Sequence, residues 1–144
     1  MAVVYFDSSA LVKLLMSEKG SDLAAEVWDG CDVAVSSRLA YPEVRAALAA
    51  AEQSGFITTR AFDEAESMWE LYWGALRPIE VSPAVAQSAG RLTRDSRLRA
   101  VDAVHLASAL ALGLDELVVA VWDQRLHAAS LEAGLRVAPA SLEE

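Results

Sequence analysis

A single cysteine, Cys31, in 144 residues excludes an internal disulfide and any zinc site built from several thiolates. Asp29 and Asp32 flank it and oppose thiolate formation, so it reads as a small, partly buried side chain rather than a nucleophile. Positive charge is scarce: 12 Lys and Arg face 21 Asp and Glu, a formal net charge of −9. That balance disfavours broad attraction to a polyanion unless bound cations offset it. No apolar run approaches the length that spans a bilayer. The start, Met1 to Phe6, lacks the basic and long apolar segments of a secretory signal, so a cytoplasmic protein with no membrane contact is expected. Repeats, linkers and low-complexity tracts are also missing.

What is present is a chain 54% apolar and 23% charged, of a length that suits one domain over residues 1–144 with a real core. Apolar runs at 2–6, 33–35, 78–81 and 117–121, and a short one at Arg136-Val137, read as strands. Between them lie helical patterns: from Asp7-Ser8-Ser9 through Leu15, over 22–29 after a Gly20-Ser21 cap, and from Ser36-Ser37 to Gly55 with Pro42 in its first turns. Others run over 60–76, from Ser82-Pro83 to about Arg94, from Ala100 to Leu112, and from Asp123 to Ala133-Gly134. Phe62, Ala65, Trp69, Tyr72, Trp73 and Leu76 recur at helical spacing, a stripe that belongs to a core or to a partner surface. Strands alternating with helices predict a three-layer α/β/α fold around a parallel sheet of four to five strands. Ligands in such sheets bind beyond the C-terminal strand ends.

Four acids attract notice. Asp7 and Asp123 each follow a predicted strand and each suits a helix N-cap. Asp102 interrupts the otherwise nearly apolar Ala100–Ala107, where a lone charge is costly to bury unless Arg99 or free backbone N–H groups meet it. Glu43 taken singly is an ordinary helical acid. Hard carboxylate oxygens suit Mg2+ or Mn2+, and only two histidines accompany them, which disfavours zinc. His105 follows Asp102 by three residues and reads first as a hydrogen-bonded core histidine, second as a metal or acid–base partner.

Four blocks in order carry a family resemblance: Tyr5–Lys13 (YFDSSALVK), Ser37–Arg45 (SRLAYPEVR), Asp102–Ala109 (DAVHLASA) and Val118–Leu126 (VVAVWDQRL). With them the chain resembles PIN-domain ribonucleases, specifically the VapC-like toxins of toxin–antitoxin pairs. The resemblance implies a PIN fold in which Asp7, Glu43, Asp102 and Asp123 surround Mg2+, with Mn2+ able to substitute. Asp7 and Asp102 would bind directly, and Glu43 and Asp123 directly or through water. It further implies metal-assisted hydrolysis of RNA phosphodiesters, a cognate VapB-like antitoxin whose C-terminal segment lies in a groove near the site, and a homodimer. Ser9 matches a position bordering the site. Val121 departs from the pattern, since the family often has Thr or Ser two residues before the last acid. Arg91, Arg94, Arg97 and Arg99 precede Asp102, and Arg38, Arg45 and Arg125 flank the other acids; phosphate contact and ion pairing both account for them.

The expected activity is therefore a metal-dependent ribonuclease toxin. The alternatives are a non-toxin PIN-fold nuclease and a catalytically quiet PIN binding module. A receiver-like signalling domain is disfavoured, because no adjacent acidic pair follows the first strand and no lysine follows the last.

Overall fold

In the computed structural model, which describes residues 1–142, five parallel strands form one sheet in the order β3-β2-β1-β4-β5. These are β1 (Val3–Phe6), β2 (Val33–Ser37), β3 (Arg77–Ile79), β4 (Val118–Ala120) and β5 (Arg136–Ala138). The helices are α1 (Ser8–Lys13), α2 (Ser21–Gly30), α3 (Ala40–Gln53), α4 (Thr59–Ala75), α5 (Pro83–Asp95), α6 (Ala100–Ala111) and α7 (Gln124–Glu132). Among the described residues no helix is long and apolar enough to cross a membrane.

Side-chain alternation on β1 divides the core. Val4 and Phe6 join Leu11, Val44, Leu48 and Trp69 on the face covered by α1, α3 and α4. Tyr5 points the other way, into a cluster with Val85, Leu106, Val119 and Leu126 under α5, α6 and α7. The result is the three-layer α/β/α arrangement that the alternating pattern predicts. The aromatic stripe on α4 is core: Trp69 is fully buried and stacks on Tyr41 at 6.1 Å, while Tyr72 meets Trp28 edge-on at 4.9 Å. Cys31 donates to the Trp28 carbonyl at 3.2 Å, and burial raises its pKa, in keeping with an inert thiol.

Helix starts follow local capping where a side chain reaches the free N–H groups. Ser82 accepts from Val85 N–H with Pro83 at the first helical position, as its sequence predicts. At α2 the expected Gly20-Ser21 cap is divided between its two residues. Gly20 holds the cap position at φ +93° without a side-chain bond, and the Ser21 hydroxyl instead closes the preceding turn by donating to the Met16 carbonyl. No side chain fits at Gly20, because a Cβ there would stand 2.6 Å from Trp122 Nε1. α1 stops at Lys13, two residues short of the predicted end, where the ammonium is held by the Glu18 carboxylate and the Lys19 carbonyl.

The chain leaves β1 towards β2 and leaves β4 towards β5, on the opposite side. β1 and β4 are neighbours, so the sheet's topological switch point lies between them. A crevice opens at such a point beyond the carboxyl ends of the strands, which is where Asp7 and Asp123 emerge.

Candidate active site and metal centre

Asp7 directly follows β1, and its backbone N–H donates to the Ala120 carbonyl at the end of β4. Its side chain caps α1: Oδ1 accepts from Ala10 N–H at 3.0 Å and from Ser9 Oγ at 2.6 Å. Ser9 Oγ in turn accepts from Trp122 N–H at 2.9 Å, which ties the Asp7 loop to the Asp123 loop. Asp7 is buried, and that burial pushes its pKa up to about 6. The Asp123 charge adds to the rise, against His105, Ser9 and the Ala10 amide, which favour the anion.

Asp123 caps α7 by accepting from Leu126 N–H at 3.0 Å. Asp102 lies in the first turn of α6, its pKa raised by burial and by the neighbouring Asp123 charge. Arg99, largely exposed, leans across both acids, with Nε 3.4 Å from Asp102 Oδ2 and Nη2 3.8 Å from Asp123 Oδ1. The first of these is an ion pair without full hydrogen-bond geometry, its charge opposing the rise in the Asp102 pKa, and apart from Arg99 the buried Asp102 Oδ2 meets no donor.

Glu43, in the first turn of α3, completes the set. Its Oε1 accepts from Ser8 Oγ at 2.7 Å and lies 2.6 Å from His105 Nε2. His105 Nδ1 is 2.7 Å from Tyr5 Oη. Burial alone would lower the His105 pKa, but the Glu43 bond and the charges of Asp7, Glu43 and Asp102 outweigh it and leave it raised. Burial, with the Asp7 charge behind it, also raises the Tyr5 pKa well above the usual phenol range, so that hydroxyl stays protonated.

The four acids anticipated from the sequence are thus linked through shared partners and mutual charge, from β1, α3, α6 and the β4–α7 turn. Tyr5 and Ser8 were not anticipated as partners of the site. The available signal was parity: Tyr5 lies two residues before Asp7 on a strand and so shares its face. Of the flagged arginines, Arg99 reaches the acids. Arg38 pairs with Glu80, and Arg45 with Glu66 and Glu70. Val121 is fully buried in the apolar cluster, so no hydroxyl is offered there.

Among the described residues no group of three or more His, Cys, Asp or Glu side chains is arranged to hold a metal ion as it stands. One oxygen of each of three acids, Asp7 Oδ1, Glu43 Oε1 and Asp123 Oδ2, is taken up by protein donors. The donor chemistry nevertheless fits a hard divalent cation. The set is anionic oxygen, Asp7 and Asp102 are raised by burial together with the Asp123 charge, and Asp102 Oδ2 is buried without a hydrogen bond.

Comparison with known proteins agrees with this architecture. The family model described as "PIN domain" matches residues 4–130. Ribonuclease VapC45 of Mycobacterium tuberculosis (strain CDC 1551 / Oshkosh) is 59% identical over 143 residues, covering 99% of each chain. Among solved structures, a toxin–antitoxin complex from Klebsiella pneumoniae aligns with a TM-score of 0.67 at 18% identity, covering 99% of this chain and 100% of that one. Mycobacterium tuberculosis VapC20, described as a sarcin–ricin loop cleaving toxin, aligns with a TM-score of 0.65 at 18% identity, over 88% and 94% of the two chains.

Proposed function

The chain belongs to the PIN-domain family and, within it, to the VapC-like ribonucleases, and from that premise we propose that it is the toxin of a toxin–antitoxin pair. In this reading residues 1–144 form one domain that hydrolyses RNA phosphodiester bonds using Mg2+, with Mn2+ able to substitute. Asp7 and Asp102 hold the ion directly, and Glu43 and Asp123 do so directly or through water. The observation that carries the reading is the pairing of two unfavourable groups at the switch point: a buried Asp7 whose pKa is pushed up to about 6, and a buried Asp102 oxygen met only by the loose ion pair with the exposed Arg99. Groups left in that condition are characteristic of functional sites.

A divalent ion there supplies Lewis-acid activation and neutralises phosphate charge. The chain's own residues do the rest. Ser9 and the Ala10 amide hold Asp7 by its Oδ1. Arg99, exposed and only loosely paired, is free to exchange its acids for a substrate phosphate. Trp122 and Lys13 line a cavity of about 400 Å³ beside Asp123 in the chain, suited to a single strand with an unstacked base. The partners in this reading are RNA, a VapB-like antitoxin and a second copy of the chain, in the cytoplasm.

The absence of a hydroxyl at Val121 favours one other reading, a catalytically quiet scaffold that only binds its antitoxin. One assay separates the two: purified chain incubated with RNA and DNA of matched sequence, with Mg2+ or with chelator. The proposal expects cleavage of RNA alone, lost in chelator. Asp7→Asn and Asp102→Asn should each lower it by roughly a hundredfold or more, at least the effect of losing an outer partner of a metal ligand. Absence of cleavage in Mg2+ and Mn2+ alike would favour the scaffold.

A further inference from the structure

Two side chains far apart in sequence, Ser8 and His105, converge on one oxygen of Glu43, and Tyr5 stands behind His105. Oε1 takes the Ser8 hydroxyl at 2.7 Å and faces His105 Nε2 at 2.6 Å, while His105 Nδ1 faces Tyr5 Oη at 2.7 Å. An ionised carboxylate only accepts, so the Nε2 contact requires the ring hydrogen on that nitrogen. In the neutral ring Nδ1 is then an acceptor and the Tyr5 hydroxyl donates to it. With the ring neutral the bonds run from Tyr5 through His105 to Glu43, and with the ring protonated both nitrogens donate while the Nε2–Glu43 bond is kept. Tyr5 and His105 are both buried, with their rings edge-on at 5.9 Å, so the imidazole has little room to turn. Each also shares an element with a site acid: Tyr5 precedes Asp7 at the end of β1, and His105 lies one turn beyond Asp102 on α6.

We infer that Tyr5 and His105 are positioning residues that lock the orientation of Glu43 and commit its Oε1 to the protein, so that Glu43 meets a cation through Oε2. This rests on the reading of Glu43 as a metal-binding acid. A core histidine that merely satisfies its hydrogen bonds would affect stability alone. A histidine that aims a ligand affects metal affinity in the folded protein, as partners of metal-binding side chains do.

The test is calorimetric titration of the full chain with Mn2+, paired with thermal unfolding, for wild type, Asp7→Asn, His105→Leu, His105→Gln and Tyr5→Phe. Glutamine places an N–H near the position of Nε2, whereas leucine keeps bulk without a donor. His105→Leu should bind Mn2+ about tenfold more weakly and Tyr5→Phe several-fold more weakly, with His105→Gln close to wild type. Long-range nitrogen–proton correlation on the Mg2+-loaded wild type should place a hydrogen on His105 Nε2. Tyr5→Phe removes one hydroxyl from an otherwise unchanged ring and decides the matter should the leucine variant fail to fold. Undiminished Mn2+ binding by the folded His105→Leu or Tyr5→Phe chain, while Asp7→Asn loses it, overturns the inference and leaves the metal site standing. A His105 with hydrogen only on Nδ1 also overturns it. A wild-type chain that takes up no Mn2+ overturns the metal reading and this inference together.

Discussion

Asp7 sits under two opposing demands. It caps α1 through Ala10 N–H, a stabilising bond, yet its ionised carboxylate is buried near Asp123. The folded pKa of about 6 exceeds the ordinary value of 3.8, so between those values the folded chain binds more protons than the unfolded chain. Stability therefore falls as pH rises through that window, and above it the penalty of about 3 kcal/mol is fully present. Asp7→Asn keeps an oxygen for the cap and removes the charge. In a chelating buffer at pH 7.5 the variant should unfold at a higher temperature than wild type, by several degrees. The advantage should shrink below pH 6 and vanish near pH 4, as followed by circular dichroism; an equal or lower Tm at pH 7.5 would contradict the electrostatics. Asp7 and Asp123 were legible as caps because capping is local chemistry. The Tyr5–His105–Glu43 chain was not, because its members are separated by 62 and 100 positions and meet only once the sheet has formed.

Individual elements show the same division between local and distant causes. The α5 start at Ser82-Pro83 could be read directly, while of the Gly20-Ser21 pair only Gly20 caps α2, because the Ser21 hydroxyl serves the turn before it. α4 is the element most dependent on tertiary contact. Its apolar stripe reads first as core and second as a partner surface, and Trp69, fully buried against Tyr41 and Trp73, bears out the core. Trp69→Ala should therefore cost about 3–5 kcal/mol in urea unfolding, in the range of large-to-small core substitutions. A loss under about 1 kcal/mol, within the range of ordinary surface changes, would mean that α4 is not anchored there.

At the scale of the whole molecule, strand order does what no local signal reveals. Alternating strands and helices predicted a parallel sheet, but the order β3-β2-β1-β4-β5 depends on long-range pairing, and it is this order that makes β1 and β4 neighbours. The switch point between them gathers acids from both ends of the chain, and α3 and α6 bring Glu43 and Asp102 to the same place. A net charge of −9 is unfavourable for approach to RNA, and in the proposed reading a cation held among these acids would offset it at the site. Whether this gathered site cuts RNA is read by sequencing RNA 5′ ends after brief induction, comparing wild type with Asp7→Asn at matched protein levels. A metal-dependent ribonuclease built on Asp7 leaves discrete new ends with the wild type and none with the variant. Identical end profiles for the two proteins would contradict it.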